Sequence, residues 1–377
     1  MVFIYWRKNI NRNRLFSLVF AIRIMKIIIR NLLFGYIFKK LLLQNLKHKL
    51  LPQMKKTLIL LLLIAFTVFT NITAQQLRFH NDGTFKIVQF TDTHVVADKK
   101  ESLDAIKLIG DVIDKEHPDL IVFSGDVVTG KPARKGWDMV LKPLSEKGVP
   151  FAIVMGNHDA EQDLTRAEIA NLITAVSNNL NKKTAKGLSD MSLEILSSKT
   201  DKVSSLVYCM DSNDYSKLDS VKGYGWFSFD QIQWYRQTSS SFTRQNTGKP
   251  LPALAFFHIP LTEYKEAYKN EKSTHSGIRL EDECPGAVNS GMFAAMLECG
   301  DVMGTFAGHD HDNDYLASLH GIALAYGRFS GGRTTYIDFQ SGARVICMKE
   351  GERGFLTYIR LLDGSEICRT YFPAGTK

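Results

Sequence analysis

The chain has 377 residues, of which 45% are hydrophobic, enough for one large domain or two small ones. Its formal charge of +8 would suit an anionic partner, but residues 1–74 contain thirteen Lys and Arg and no Asp or Glu. Without them, 34 basic and 39 acidic side chains remain, a net charge of −5, so the rest of the chain shows no sign of a nucleic-acid-binding surface.

Within the basic segment, residues 54–74 have the layout of a secretory signal peptide. Two lysines follow Met54, an apolar run extends from Leu58 to Phe69, and small and polar residues lead to a predicted cleavage site after Ala74. The apolar run is shorter than the about 20 residues that cross a bilayer. We therefore expect export to the periplasm or the extracellular space, with only transient membrane contact through the signal peptide.

Residues 1–53 precede this signal peptide, and basic side chains interrupt their apolar stretches. One interpretation is a basic amphipathic membrane anchor. The interpretation we favour is an upstream extension that arises from a mis-assigned start codon, because a signal peptide rarely follows so many other residues. The mature protein would then be a single domain over residues 75–377.

The mature part begins with an alternation of short buried strands and helices. Apolar runs predict three strands, over residues 85–91, 120–123 and 151–155. Helical spacing of apolar residues is found between them, over residues 102–116 and 137–146. Such an alternation predicts a mostly parallel sheet, whose carboxyl-terminal edge binds ligands. The three strands end at Asp92, Asp126 and Asn157, so these side chains should share one rim.

Farther along, the chain contains a second set of elements without repeats or low-complexity linkers. A polar helix is predicted over residues 163–183, and Asp230 is expected to cap another helix. The stretch 270–288 is polar and loop-like, and residues 289–297 are predicted to be helical. Strands are predicted over residues 192–196, 204–210, 254–257 and 302–307, and a three-stranded antiparallel meander over residues 344–372. This pattern indicates one domain built from two sheets.

Residues that ligate metals recur at the ends of these strands. In chain order they are Asp92, His94, Asp126, Asn157, His258, His309 and His311. Alone, each could be a helix cap, a turn former or a structural histidine, but together they favour a dinuclear metal hydrolase. Asp, Asn and His suit ions such as Mn, Fe and Zn, and two ions about 3.5–4 Å apart can hold a phosphate and supply a nucleophile. Asp126 ends the central strand and is the candidate bridging ligand.

This ordered set resembles the calcineurin-like metallophosphoesterase family. The segments DSNDYS, GYGW, FFHIPL, NSG and GHDHDND resemble a purple-acid-phosphatase-like subgroup of it; they begin at Asp211, Gly223, Phe256, Asn289 and Gly308. The resemblance covers essentially the whole mature chain. It implies an α/β fold, a four-layer α/β/β/α sandwich of two mixed sheets, and hydrolysis of a phosphate-ester substrate with two transition-metal ions (Fe, Mn or Zn).

The resemblance also implies roles for individual residues. The first ion would be held by Asp92, His94, Asp126 and His311, and the second by Asp126, Asn157, His258 and His309. A metal-bound hydroxide would be the nucleophile, and His158 would be the general acid that protonates the leaving alkoxide, a role that suits an imidazole. The implied reaction is phosphomonoester hydrolysis. The alternatives are a phosphodiesterase of the same family and a non-catalytic binding protein of the cell envelope.

One position departs from the family pattern. Purple acid phosphatases carry a metal-bound tyrosine three residues after the bridging aspartate, and other members carry an aspartate there that orients the catalytic histidine; this chain has Thr129. Orientation of His158 would then fall to Asp159 or Asp310. Three further residues near the last motif are candidates for phosphate contacts or for surface positions: Tyr315, Arg328 and Arg333.

Overall fold

The computed structural model describes residues 76–270, 273, 275–337 and 339–373. The predictions made for residues 1–74, which concern the upstream extension, the signal peptide and export, lie outside the described residues. Within residues 76–373 as described, the helices are too short or too polar to cross a membrane.

The predicted alternation of strands and helices over residues 85–155 is present, with differences of at most four residues at the element ends. The elements of the first half are β1 (Leu77–Arg78), β2 (Thr84–Phe90), α1 (Ser102–Glu116), β3 (Leu120–Ser124), α2 (Ala133–Lys147), β4 (Phe151–Val154), α3 (Arg166–Thr174), β5 (Met191–Leu196) and β6 (Val203–Cys209). Those of the second half are α4 (Phe229–Gln245), β7 (Ala253–Phe256), α5 (Glu263–Lys269), α6 (Met292–Cys299), β8 (Val302–Ala307), β9 (Leu316–Leu319), β10 (Ile322–Tyr326), β11 (Gly342–Lys349), β12 (Phe355–Leu361) and β13 (Glu366–Phe372).

The strands form two mixed sheets. The six-stranded sheet has the order β13-β12-β11-β2-β3-β4, in which β2, β3 and β4 are parallel and β11 to β13 form the antiparallel meander. The seven-stranded sheet has the order β1-β5-β6-β7-β8-β10-β9, with β6, β7, β8 and β10 parallel to their neighbours in that run. Both sheets therefore direct several strand ends toward one edge.

Three apolar cores separate four layers. The first joins α1, α2 and α3 to the six-stranded sheet and contains Trp137 and Phe123. The second lies between the two sheets and contains Ile87 and Phe306. The third joins the seven-stranded sheet to α4, α5 and α6 and contains Tyr264. This is the α/β/β/α sandwich of two mixed sheets that the resemblance implied, and the prediction is confirmed.

Local details differ from the sequence predictions in several places, one of which is the two-residue β1, which was not predicted. The cap of α4 is Ser228, not Asp230, because the Ser228 side chain accepts a hydrogen bond from the Gln231 N–H in a reciprocal capping box. The predicted polar helix is shorter and spans only α3. Helix α5 and the β9–β10 hairpin were missed, since each is too short for its periodicity to stand out.

Candidate metal centre

The seven predicted ligand residues come together at the common edge of the two sheets. Asp92 and His94 follow β2, Asp126 follows β3, and Asn157 follows β4. The seven-stranded sheet contributes the other three: His258 follows β7, and His309 and His311 follow β8. All seven side chains are buried. Placement at carboxyl ends of parallel strands is the feature that the sequence predicted.

Six of these residues form two groups of three. In each group, one ligand atom from each residue lies within 4.8 Å of the other two; the groups are Asp92, His94 and His311, and Asp126, His258 and His309. We call them the first and second ligand clusters. Asp126 faces both, because its Oδ2 lies 3.1 Å from His258 Nε2 and 3.8 Å from His94 Nε2. That position is the one a bridging carboxylate needs.

Hydrogen bonds to the outer nitrogens orient two of the imidazoles. His258 Nδ1 donates to the Ser124 carbonyl oxygen at 2.8 Å, which leaves Nε2 facing Asp126. His311 Nδ1 lies 3.3 Å from the Tyr336 carbonyl oxygen, and its Nε2 lies 3.7 Å from Asp92 Oδ1. A partner on the outer nitrogen of a histidine fixes its tautomer and directs the other nitrogen to a metal.

Asn157 is oriented in the same way. Its Oδ1 lies 3.1 Å from His258 Nε2, in the second ligand cluster, and its Nδ2 lies 3.5 Å from the Tyr215 hydroxyl. The amide therefore directs its oxygen, the atom able to ligate a cation, toward the cluster.

The aspartate after His158 supports the loop that carries Asp126. The buried Asp159 carboxylate accepts backbone N–H bonds at 2.7–3.1 Å from Gly156, Asp126 and Val127. This arrangement explains why an aspartate follows the histidine, but it commits both Asp159 oxygens to the backbone. Asp310 is likewise committed, to the Cys284 N–H and the Tyr326 hydroxyl. The prediction that either one orients His158 is wrong.

His158 pairs instead with Glu161. Its Nδ1 lies 2.5 Å from Glu161 Oε2, and its ring centre lies 5.8 Å from that of His94. The His158 side chain is 37% exposed, unlike the buried ligand residues. It thus stands at the mouth of the first ligand cluster, where a substrate atom could reach it.

The pKa values show which imidazoles are ready to ligate. Burial lowers the pKa of His94 to about 3 and that of His311 to about 4, and it takes the pKa of His309 well below the ordinary value. These three rings are therefore neutral near pH 7. Burial also opposes the charge on His258, but Asp126 and Asp92 outweigh it and raise the pKa of His258 to about 10.

The clusters fit divalent cations. His94 Nε2 is buried and has no hydrogen-bond partner among the described residues, so its lone pair or N–H is left unsatisfied within the protein. Two carboxylates, an amide and four imidazoles form a donor set that suits Mn, Fe or Zn. The structure thus shows two candidate metal-binding sites, consistent with a dinuclear centre.

Three other candidates were proposed for phosphate contacts or for surface positions. The buried Tyr315 donates its hydroxyl proton to Glu283 at 2.8 Å. Arg328 is 2% exposed and forms an ion pair with Asp314, so it occupies neither a phosphate site nor a surface position. Arg333 is exposed, which agrees with the predicted surface position.

Sequence reasoning missed the residues around the mouth of the site. Glu161 forms the pair with His158, Tyr224 packs its ring against His309 at 4.4 Å, and Tyr336 stacks on His311 at 4.3 Å. Tyr215 stacks on Tyr224 at 5.7 Å. Tyr215 and Tyr224 belong to the segments DSNDYS and GYGW that carried the resemblance, which was the available signal.

Comparison with known proteins places this geometry in context. Residues 85–313 match the family model for calcineurin-like phosphoesterase. "Probable inactive purple acid phosphatase 14" of Arabidopsis thaliana is 34% identical over 67% of this chain and 72% of its own length. "Phosphatase DCR2" of Saccharomyces cerevisiae is 29% identical over 67% of this chain and 49% of its own length. A dimetal phosphatase from Danio rerio, 14% identical, shares the fold with a TM-score of 0.51 over 76% of this chain and 99% of that structure.

Proposed function

The chain belongs to the calcineurin-like phosphoesterase family, and on that premise we propose that it is a metal-dependent phosphomonoesterase with His158 as the general acid. The observation that carries the proposal is the arrangement of two buried ligand clusters with Asp126 facing both. A more exposed histidine, His158, lies at their mouth.

The ligand assignment follows the two clusters. The first ion would be held by Asp92, His94, His311 and the bridging Asp126. The second ion would be held by Asp126, His258, His309 and, through its amide oxygen, Asn157. Two such ions supply Lewis acidity that polarises a phosphoryl group and make a water molecule nucleophilic at neutral pH.

The protein's own contribution to the leaving group is a proton. His158 Nδ1 is bonded to Glu161, so the proton on Nε2 is the one available to the leaving alkoxide oxygen. An alkoxide is a poor leaving group without that proton, whereas a nitrophenolate leaves readily. Proton donation by a positioned side chain accelerates such a step by roughly 10²–10⁴-fold.

The rival proposal is a non-catalytic binding protein, and the relatives' names bear on it. Three Arabidopsis thaliana relatives are named "probable inactive" purple acid phosphatases, while the yeast relative is named a phosphatase. Loss of activity in a metal hydrolase usually follows loss of a ligand. Because this chain holds all seven ligand residues at one edge, we favour catalysis.

The proposal is tested with the mature chain from Gln75, loaded with zinc or manganese, on an alkyl phosphate, p-nitrophenyl phosphate and a nitrophenyl diester. His158→Ala should leave the metal content unchanged and lower kcat for the alkyl phosphate roughly 10²–10⁴-fold, with a smaller loss for p-nitrophenyl phosphate.

His80→Ala is the matched control, since His80 forms an exposed pair with Asp119 at 2.6 Å before β2, at the strand end opposite to the ligand clusters. The control should keep wild-type activity. Two bound ions with no hydrolysis of any ester would contradict the proposal and support the binding protein, and faster turnover of the diester than of the monoesters would support a phosphodiesterase.

A further inference from the structure

Glu161 lies between two side chains that come from different sheets. One carboxylate oxygen, Oε2, accepts from His158 Nδ1 at 2.5 Å, and the other, Oε1, accepts from the Tyr215 hydroxyl at 2.6 Å. His158 and Glu161 follow β4 of the six-stranded sheet, whereas Tyr215 follows β6 of the seven-stranded sheet. Both oxygens of the carboxylate are thus used, and its plane is held by groups on either side.

Tyr215 is itself well anchored. Its ring stacks on Tyr224 with an interplanar angle of 24°, and its loop is tied to the start of α3 by the ion pair between Arg166 and Asp211. Burial, followed by the hydrogen bond to Glu161, raises the pKa of Tyr215 to about 12. The phenol therefore keeps its proton near neutral pH and remains a donor to Glu161.

The same hydroxyl serves the second ligand cluster. Asn157 Nδ2 donates toward the Tyr215 oxygen at 3.5 Å, so one phenol holds both the carboxylate behind His158 and the amide of a predicted metal ligand. A single hydroxyl can do this because it donates one hydrogen bond and accepts others.

We propose that Glu161 is the positioning residue of the catalytic histidine, His158. Tyr215, which follows a strand of the other sheet, fixes the positions of Glu161 and Asn157 through its hydroxyl. The proposal rests on the proposed function, in which His158 is the general acid. It places the orienting carboxylate three residues after His158, in a chain whose Thr129 offers no carboxylate at the position where related proteins carry an aspartate.

The chemical role of the His158–Glu161 pair follows from where each proton goes during the reaction. A water-derived oxygen bonds to phosphorus as the P–O bond to the leaving group breaks. The proton on His158 Nε2 moves to the leaving oxygen, and phosphate and the alcohol are released. The neutral imidazole keeps its proton on Nδ1, which remains hydrogen-bonded to Glu161. Nε2 then regains a proton from water. Glu161 gains no proton in this sequence; it keeps Nδ1 as the protonated nitrogen and the ring aimed at the leaving oxygen.

The first test observes the His158 ring directly and does not depend on activity. Zinc-loaded mature protein with ¹⁵N-labelled histidine is examined by long-range ¹H–¹⁵N NMR. The measurement is made at about pH 9, above the ordinary titration range of histidine. The His158 signal is assigned by its absence in His158→Ala. We expect the Nδ1–H tautomer in the wild type and a shift toward the Nε2–H tautomer of a solvated imidazole in Glu161→Leu. An unchanged tautomer in Glu161→Leu would overturn the proposal.

The second test is kinetic. Glu161→Leu should lower kcat for an alkyl phosphate about 10–100-fold, as when a partner that orients a metal-bound histidine is lost. KM and metal content should stay unchanged, and the loss should be smaller for p-nitrophenyl phosphate. Glu161→Gln should lose less, because its amide oxygen still accepts from Nδ1. Tyr215→Phe should show the same leaving-group dependence and, in addition, weaker binding of the second ion.

Matched controls separate these effects from general damage. Glu146→Gln removes an exposed carboxylate on α2, and Tyr371→Phe removes an exposed hydroxyl on β13; both should behave as wild type.

An equal loss on both esters in Glu161→Leu would assign the residue a merely structural role. If His158→Ala shows the leaving-group effect and Glu161→Leu does not, the role of Glu161 is wrong while the proposed function stands. If the wild type hydrolyses no ester, the proposed function fails, and the NMR result still decides whether Glu161 orients the ring.

Discussion

Thr129 is the residue that most clearly separates this site from a purple acid phosphatase. Its side chain is an aliphatic hydroxyl, and its N–H donates to the Val95 carbonyl oxygen. Three tyrosines of this region donate their hydroxyl protons to carboxylates. Tyr336, whose ring stacks on His311, donates to Glu281 at 3.1 Å, and the buried Tyr315 donates to Glu283. Tyr215 donates to Glu161, and burial raises the pKa of Tyr215 to about 12. We therefore assign no phenolate to the first ligand cluster.

We predict that the iron-loaded protein lacks an intense visible absorption band. In purple acid phosphatases such a band arises from charge transfer between a metal-bound tyrosinate and iron(III). The aliphatic hydroxyl of Thr129 has no π-system that could take part in this transition. A visible spectrum of the iron(III)-loaded chain from Gln75 checks the prediction. An intense band that disappears in Tyr215→Phe, Tyr224→Phe or Tyr336→Phe would show that one of these phenols binds iron, and the ligand assignment would be wrong.

At the scale of the elements, the site depends on how closely strand ends approach each other. A side chain at Gly308, just after β8, would place its Cβ 1.9 Å from Thr91 Oγ1 and 2.6 Å from Asp92 Oδ2. Gly125, after β3, has a φ of 96°, and a Cβ there would lie 2.3 Å from His258 Nδ1. These glycines are required by contact between the two sheets, because a methyl group would push the ligands apart.

Gly308→Ala should therefore displace Asp92 and weaken the binding of the first ion. The overpacking should also destabilise the protein by about 1–3 kcal/mol. Metal analysis and denaturant unfolding of the metal-free protein measure the two effects separately.

The control is Gly110→Ala in α1, where nothing lies within 4 Å of the added Cβ. Alanine is the better helix former, so this variant should gain about 0.5–1 kcal/mol and bind both ions. Full occupancy of both sites in Gly308→Ala would show that the strand ends can move apart freely.

At the scale of the whole molecule, buried charges join one layer to the next. Glu116, at the end of α1, accepts hydrogen bonds at 2.6 Å from Tyr358 and Arg360 on β12, and Lys86 on β2 lies 3.3 Å away. The carboxylate thus ties the outer helix layer to the six-stranded sheet. Burial alone would raise the pKa of Glu116, but these partners outweigh it and lower the pKa below the ordinary value.

The lowered pKa gives Glu116 a pH-dependent contribution to stability. Near pH 4.5, its ordinary value, the unfolded chain binds a proton more readily than the folded protein does, so the contribution is complete above that pH and is lost as the pH falls below it. Glu116→Gln should lower the free energy of unfolding by about 2 kcal/mol at pH 7, and the difference from wild type should shrink below pH 4.5.

Denaturant unfolding between neutral pH and about pH 3 measures this difference. Glu146→Gln, which changes a carboxylate 63% exposed and 3.9 Å from Lys142, should have little effect at either pH. A difference that stays constant with pH would show that the Glu116 charge does not stabilise the fold.

The sequence by itself determined the order of most elements and the candidate ligand residues. Hydrophobic periodicity is a local property, and it located β2, α1, β3 and β4 with small errors at their ends. Parallel strands end at the same edge of a sheet, so Asp92, Asp126 and Asn157 could be placed together without any coordinates. The short β9–β10 hairpin and α5 were missed because a few residues carry too little periodic signal.

Only the tertiary structure decided which side chains meet across the sheets. Glu161 and Tyr215 are 54 residues apart, and their contact depends on how the two sheets pack and on side-chain rotamers that no local pattern records. The same holds for Arg328, whose charge suggested phosphate binding until the fold paired it with the buried Asp314. Strand ends are set by local sequence, whereas the partner of each side chain is set by packing between distant segments, and that is why Asp159 and Asp310 were plausible and wrong.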